Sequence, residues 1–169
     1  IGAVPYVLKE VMMPLYASKF THGLIARRLE EHGLSGGVDQ RILEPSMGSL
    51  SPPESPDLGF SFIRVTHSIP DAASLLIETP VGRVLHTADF KIDDHPIDGQ
   101  AFDAPRFRQL GDDGVLLLLS DSTNAQVPGK NRSGREVIDT LEQEVRDWPG
   151  RVLITQFASN LHRLRGIQE

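Results

Sequence analysis

The stretch FSFIRVTHSIPDAASLLIETPVGRVLHTADF, residues 60–90, decides how this chain is read. Phe60–Thr66 alternates apolar and polar side chains, as a half-buried strand does. Residues 74–78 and 83–87 read as two further strands around Thr79-Pro80-Val81-Gly82, a hairpin turn. The first strand runs into His67 and the third into Asp89. Downstream, Val115–Leu119 is continuously apolar, as a strand buried on both faces would be, and VLLLLS runs into Asp121. Strands of a covered sheet converge at one edge, so polar residues just past their C-terminal ends gather there while the apolar runs stay buried. A histidine and two carboxylates at such an edge suit a hard or borderline divalent cation. The alternative is that each residue caps a turn.

Working outward, the order of elements is mixed α/β without internal repeats. Ser18 is placed to cap a helix through about His32, with Leu24, Ile25 and Leu29 on one face and Gly33 as its stop. Residues 35–59 are rich in Gly, Ser and Pro and read as loop, with one short strand near Arg41–Leu43. Residues 91–114 are polar and irregular, with a short helix expected near Pro105–Leu110. Ser133 and Glu136 form a capping box before Val137, Ile138, Leu141 and Val145, which share a helical face; Pro149-Gly150 ends that helix. Residues 151–157 read as another strand, and Ser159 or Asn160 as the cap of a last helix.

Composition narrows the class. The chain has 169 residues, 39% hydrophobic and 24% charged, which suits one globular domain rather than a disordered segment. No apolar run is long enough for a membrane-spanning helix, and Lys9 and Glu10 interrupt any leader-like pattern. Cysteine is absent, which excludes disulfides and thiolate sites and leaves imidazole and carboxylate as the metal-ligand types. These features fit a cytoplasmic protein. Net charge is −6, and the whole acidic excess falls in residues 51–130, with twelve acidic and six basic side chains. An acidic middle suits a cation site and not a basic phosphate-backbone footprint. A solvated acidic surface explains the charge as readily.

Rival constellations are thin. Ser68, His67 and Asp71 supply the residue types of a hydrolytic triad, but no Gly-x-Ser-x-Gly turn is present and neighbours on a turn seldom face each other. No Gly-x-Gly-x-x-Gly and no Gly-rich phosphate loop occurs. The pairs Asp93-Asp94 and Asp112-Asp113 read as loop solvation, His22 and His32 as surface residues, and His95 as a loop residue. His86 reads as a packing or hydrogen-bonding residue within its strand, and the role of His162 is open.

HSIPD (67–71), HTADFK (86–91), LLLLSDSTNA (116–125) and FASNLHR (157–163), in this order, resemble the bacterial ribonuclease J family, an RNA-processing branch of the β-CASP group in the metallo-β-lactamase superfamily. IGAVPYVLKE (1–10) resembles the segment that follows that family's His-x-His-x-Asp-His motif. The resemblance implies an α/β fold of the metallo-β-lactamase type, an αββα sandwich, incomplete over residues 1–124. Residues 125–169 would be a connector and the beginning of a β-CASP domain. It implies that His67 ligates one of two zinc ions, that Asp89 bridges both, and that Asp121 acts beside them, orienting ligands or shuttling protons. Ala88 stands where the family more often has Gly.

The activity implied is zinc-dependent hydrolysis of RNA phosphodiesters, by internal cleavage and from a 5′-monophosphate end, in an enzyme that forms homo-oligomers. A hydroxide held between two zinc ions would be the nucleophile. The His-x-His-x-Asp-His motif and the later β-CASP histidines do not occur here. The expectation is an internal piece of a longer enzyme, inactive by itself. The rivals are another hydrolase of the same superfamily and a non-catalytic domain that retains the fold.

Overall fold

The structure, a computed structural model, describes residues 1–168. The first third of the chain builds one small hydrophobic cluster. Helix α1 (Val4–Glu10) opens with Pro5 in its first turn, where the missing N–H costs nothing. Strand β1 (Leu15–Ala17) pairs in parallel with β2 (Gln40–Ile42). Between them runs α2 (Lys19–Glu31), capped as expected by Ser18, whose Oγ accepts the Thr21 N–H. Leu8, Ile25 and Leu29 are buried together, with Val4, Leu15, Leu34 and Val38 packed around them. Of these elements, α1 and β1 fall where sequence patterning predicts nothing.

The decisive stretch folds into a sheet. Strands β3 (Gly59–Arg64), β4 (Ala73–Thr79), β5 (Gly82–His86) and β6 (Leu117–Leu119) lie in that order. The pairs β3–β4 and β4–β5 are antiparallel, and β5–β6 is parallel. The hairpin closes where the sequence places it, with Thr79 opposite Gly82 and the Thr79 hydroxyl donating to the Gly82 carbonyl at 2.7 Å. Helix α3 (Ala104–Asp113) is longer than expected and is capped by Asp103, which accepts the Arg106 N–H. The helix closes the second cluster, where Ile63, Leu76, Leu85 and Leu110 are buried with Phe107 and Val115 against them. Each such side chain contributes on the order of 1.5–3 kcal/mol by leaving water.

Two helices follow, α4 (Gly134–Asp147) and α5 (Leu161–Gln168). The Ser133–Glu136 capping box forms in full. A Cβ on Gly166 would stand 2.8 Å from Ile138 Cδ1, so the missing side chain at Gly166 is what lets the two helices meet.

Two strand expectations fail. The run 115–119 gives a strand of only three residues, and its leucines are exposed rather than buried on both faces. The reason is position: β6 is the edge of the sheet and pairs with β5 alone. Residues 151–157 form no strand, and Leu153 and Phe157 are 86% and 85% exposed. A strand is held by its neighbours, and none of the described residues pairs with this segment. No helix among the described residues is long and apolar enough to cross a membrane.

Candidate functional site

Two successive antiparallel pairings make β3 and β5 run the same way, and β6 runs parallel to β5. Their C-terminal ends therefore lie at one sheet edge. Past that edge the chain after β3 meets the chain after β5 directly. Thr66 pairs with Lys91, whose N–H donates to the Thr66 carbonyl at 2.8 Å. This bridge sits one residue before His67 and two after Asp89. Asp121 joins through its backbone, donating its N–H to the buried Thr87 hydroxyl at 2.9 Å.

The result is one open cleft of about 520 Å³ that His67, Asp89 and Asp121 all line. Asn160, His162 and Arg163 line it too, from the α5 end of the chain. His67 and Asp121 are half-buried and Asp89 is exposed. One Asp121 oxygen accepts from both the N–H and the hydroxyl of Thr123, at 2.9 and 2.6 Å. The other accepts the Phe90 N–H at 3.5 Å, next to Asp89. The Thr123 hydroxyl and N–H hold the Asp121 carboxyl below its ordinary pKa, and the Phe90 N–H and the nearby His67 add to this. Asp121 thus rests as an anion that braces the Asp89–Phe90 peptide.

The triad alternative gains one contact and no more. Ser68 Oγ lies 3.3 Å from His67 Nδ1, so these neighbours do face each other. Asp71 lines the same cleft but makes no hydrogen bond to the ring among the described residues. His86 behaves as a hydrogen-bonding residue, its Nδ1 accepting the Ala88 N–H at 3.1 Å. Ala88 itself has φ +52°, in the left-handed region.

Other residues depart from their sequence reading. His22 is not on the surface: it is buried, with its ring nitrogens 3.0 Å from Gln40 Oε1 and 2.9 Å from the Arg41 carbonyl. It faces β2, which the helix periodicity alone does not reveal. Asp93 is not loop solvation either. It is 4% exposed and takes three donors: Lys91 Nζ at 2.7 Å, the Gly134 N–H at 2.8 Å and the His95 N–H at 3.0 Å. Burial pushes its carboxyl up, but the Lys91 ammonium and the two N–H groups outweigh that and leave the pKa below its usual value. An Asp-Asp pair in a polar loop carries no signal of this. His162 Nε2 lies 3.7 Å from Asp98 Oδ2 at the cleft rim.

As a metal centre the cleft is incomplete on its own. No group of three or more His, Asp or Glu is placed to hold a metal ion among the described residues. A zinc ion takes three or four ligands, commonly with one position left to water in catalytic sites.

Comparison with known proteins places this geometry in a family context. No protein-family model matches the chain. Ribonuclease J of Thermus thermophilus is 39% identical over 99% of the chain, and that of Synechocystis 42% over 97%. Ribonuclease J 1 of Streptococcus pyogenes is 36% identical over the whole chain. The chain spans 30%, 25% and 29% of the length of these three relatives. Among solved structures, a protein of unknown function from Enterococcus faecalis superposes with a TM-score of 0.65 at 16% identity. The superposition covers 93% of this chain and 39% of that one, a likeness of fold alone. The four motifs are thus part of a likeness to these ribonuclease J proteins that runs along nearly the whole chain.

Proposed function

We propose that this chain is part of a metal-dependent ribonuclease of the ribonuclease J type, in which the sheet-edge cleft is one wall of the RNA phosphodiester-cleaving site. The observation that carries the reading is the convergence on one cleft of His67, Asp89 and Asp121, the three residues that the resemblance picks out. The proposed fold is an incomplete metallo-β-lactamase sandwich over residues 1–124, with a connector and the start of a β-CASP domain from residue 125.

The proposed roles follow from the contacts. His67 and Asp89 are two ligands of a two-zinc site. Asp121 supports Asp89 through the Phe90 N–H, as residues behind a metal ligand commonly do. Two protein ligands do not make a zinc shell, so the residues present do not by themselves fit the pair of ions. Activity on RNA, including a preference for 5′-monophosphate ends and assembly into homo-oligomers, is therefore proposed for a longer protein that supplies the remaining ligands.

Titration calorimetry of the 169-residue chain with zinc is expected to show no sub-micromolar binding of two ions. Tight binding of two ions would overturn that part. The longer parent is expected to cleave 5′-phosphorylated RNA in preference to small esters, and Asp89→Ala in it to lose at least a hundredfold in rate. Hydrolysis of esters without cleavage of RNA would point to another enzyme of the same superfamily.

A further inference from the structure

The two walls of the cleft come from parts of the chain that share little packing. Helices α4 and α5 pack chiefly on each other. The loop of residues 91–103 ties both helices to the body of the molecule. Within it Asp93 Oδ2 accepts the Gly134 N–H at 2.8 Å, and Asp98 Oδ2 lies 3.7 Å from His162 Nε2. The Ile97 side chain abuts Gly134, where an added Cβ would lie 3.0 Å from Ile97 Cγ1. The same loop starts at Lys91, whose backbone is paired with Thr66 beside His67.

We propose that Asp93 is a positioning residue: by holding the Gly134 N–H, its carboxylate sets the α4–α5 pair over the cleft. It thereby fixes the separation between the wall of His67, Asp89 and Asp121 and the wall of Asn160, His162 and Arg163. The device does not depend on which substrate the cleft takes.

The geometry suits this work. Gly134 is the first residue of α4, and helix N-terminal N–H groups have no intrahelical partner. Ser133 serves the Glu136 N–H, and Asp93 reaches across 41 positions to serve that of Gly134. An anion there is also favoured by the helix dipole. Lys91 Nζ, 2.7 Å from the same carboxyl oxygen, keeps the anion neutralised inside the fold. An Asn at 93 would keep the shape but lose the charge that Lys91 and the helix end both require.

The absence of cysteine allows a direct test. Cysteines introduced at the exposed positions Val81 and Gln143 carry spin labels on the sheet hairpin and on α4. Dipolar spectroscopy of the doubly labelled chain is expected to give one narrow distance distribution. Asp93→Asn is expected to broaden it, and to speed amide exchange in α4 at least tenfold while β4 amides keep their protection. Gly134→Pro removes the N–H at a position where proline suits a helix, and Ser133 before it is already extended. It keeps the Lys91–Asp93 pair, so it stands as the test if Asp93→Asn does not fold. Gly134→Ala adds a Cβ against Ile97, as proline does, but keeps the N–H and lacks the ring, and is expected to stay narrow. A narrow distribution in Asp93→Asn, equal effects of Pro and Ala at 134, or faster exchange throughout β4 would each overturn the proposal.

Discussion

The clearest single-residue finding is Ala88, one position before Asp89. Its φ of +52° is a conformation that costs a residue with a Cβ about 1–2 kcal/mol. Glycine there, the residue the family resemblance would lead one to expect, removes that strain. It also loosens the unfolded chain, which takes back about 0.4–1 kcal/mol. Ala88→Gly is therefore expected to raise stability by about 0.5–1 kcal/mol, measured as a higher urea midpoint at unchanged slope. A lower midpoint would mean that the turn is not strained. The strain sits beside a proposed metal ligand, where the turn must aim Asp89 into the cleft. His67, Asp89 and Asp121 were legible as candidates because each follows an apolar run. Asp93 and His22 were not, because their burial comes from partners 41 and 18–19 positions away.

At the scale of elements, local signals served well where they are self-sufficient. The Ser18 cap, the Ser133–Glu136 box and the Thr79–Gly82 turn each satisfy backbone groups within a few residues, and all three form. They failed for β6 and for 151–157, where an apolar run says only that a segment wants cover. In this fold β6 is an edge, with Leu117 and Leu118 48% and 56% exposed. An apolar edge strand is a template for pairing with another chain. Leu118→Lys is expected to reduce self-association, read by light scattering across a concentration series, while changing stability by no more than about 0.5 kcal/mol. A large loss of stability without a change in association would show that β6 is covered in solution.

For the whole molecule, the two hydrophobic clusters are separate, one around α2 and one between the sheet and α3, while α4 and α5 meet the body through the polar contacts of Asp93 and Asp98 and the packing of Ile97 on Gly134. That arrangement predicts an uneven response to acid. The folded-state pKa of Asp93 is lowered from 3.8, so its stabilising contribution is fully present above that value. It is lost as pH falls through the lower folded value. Amide exchange on acidification is therefore expected to rise in α4 before it rises in β4, and in Asp93→Asn, where α4 already exchanges faster, this acid-induced rise is expected to be absent. Simultaneous loss in both would contradict a locally anchored helical pair. The sequence by itself determined the α/β class, the hairpin, the Ser18 and Ser133 helix caps and the three strand ends that carry His67, Asp89 and Asp121. Those features depend on periodicity and on hydrogen bonds between near neighbours, which a linear string displays. Only the tertiary structure decided the strand order that brings the three ends to one edge, that Asp93 is buried and that the leucines of β6 stand open. Sheet order and long-range burial are set by which surfaces meet, and no local pattern encodes that.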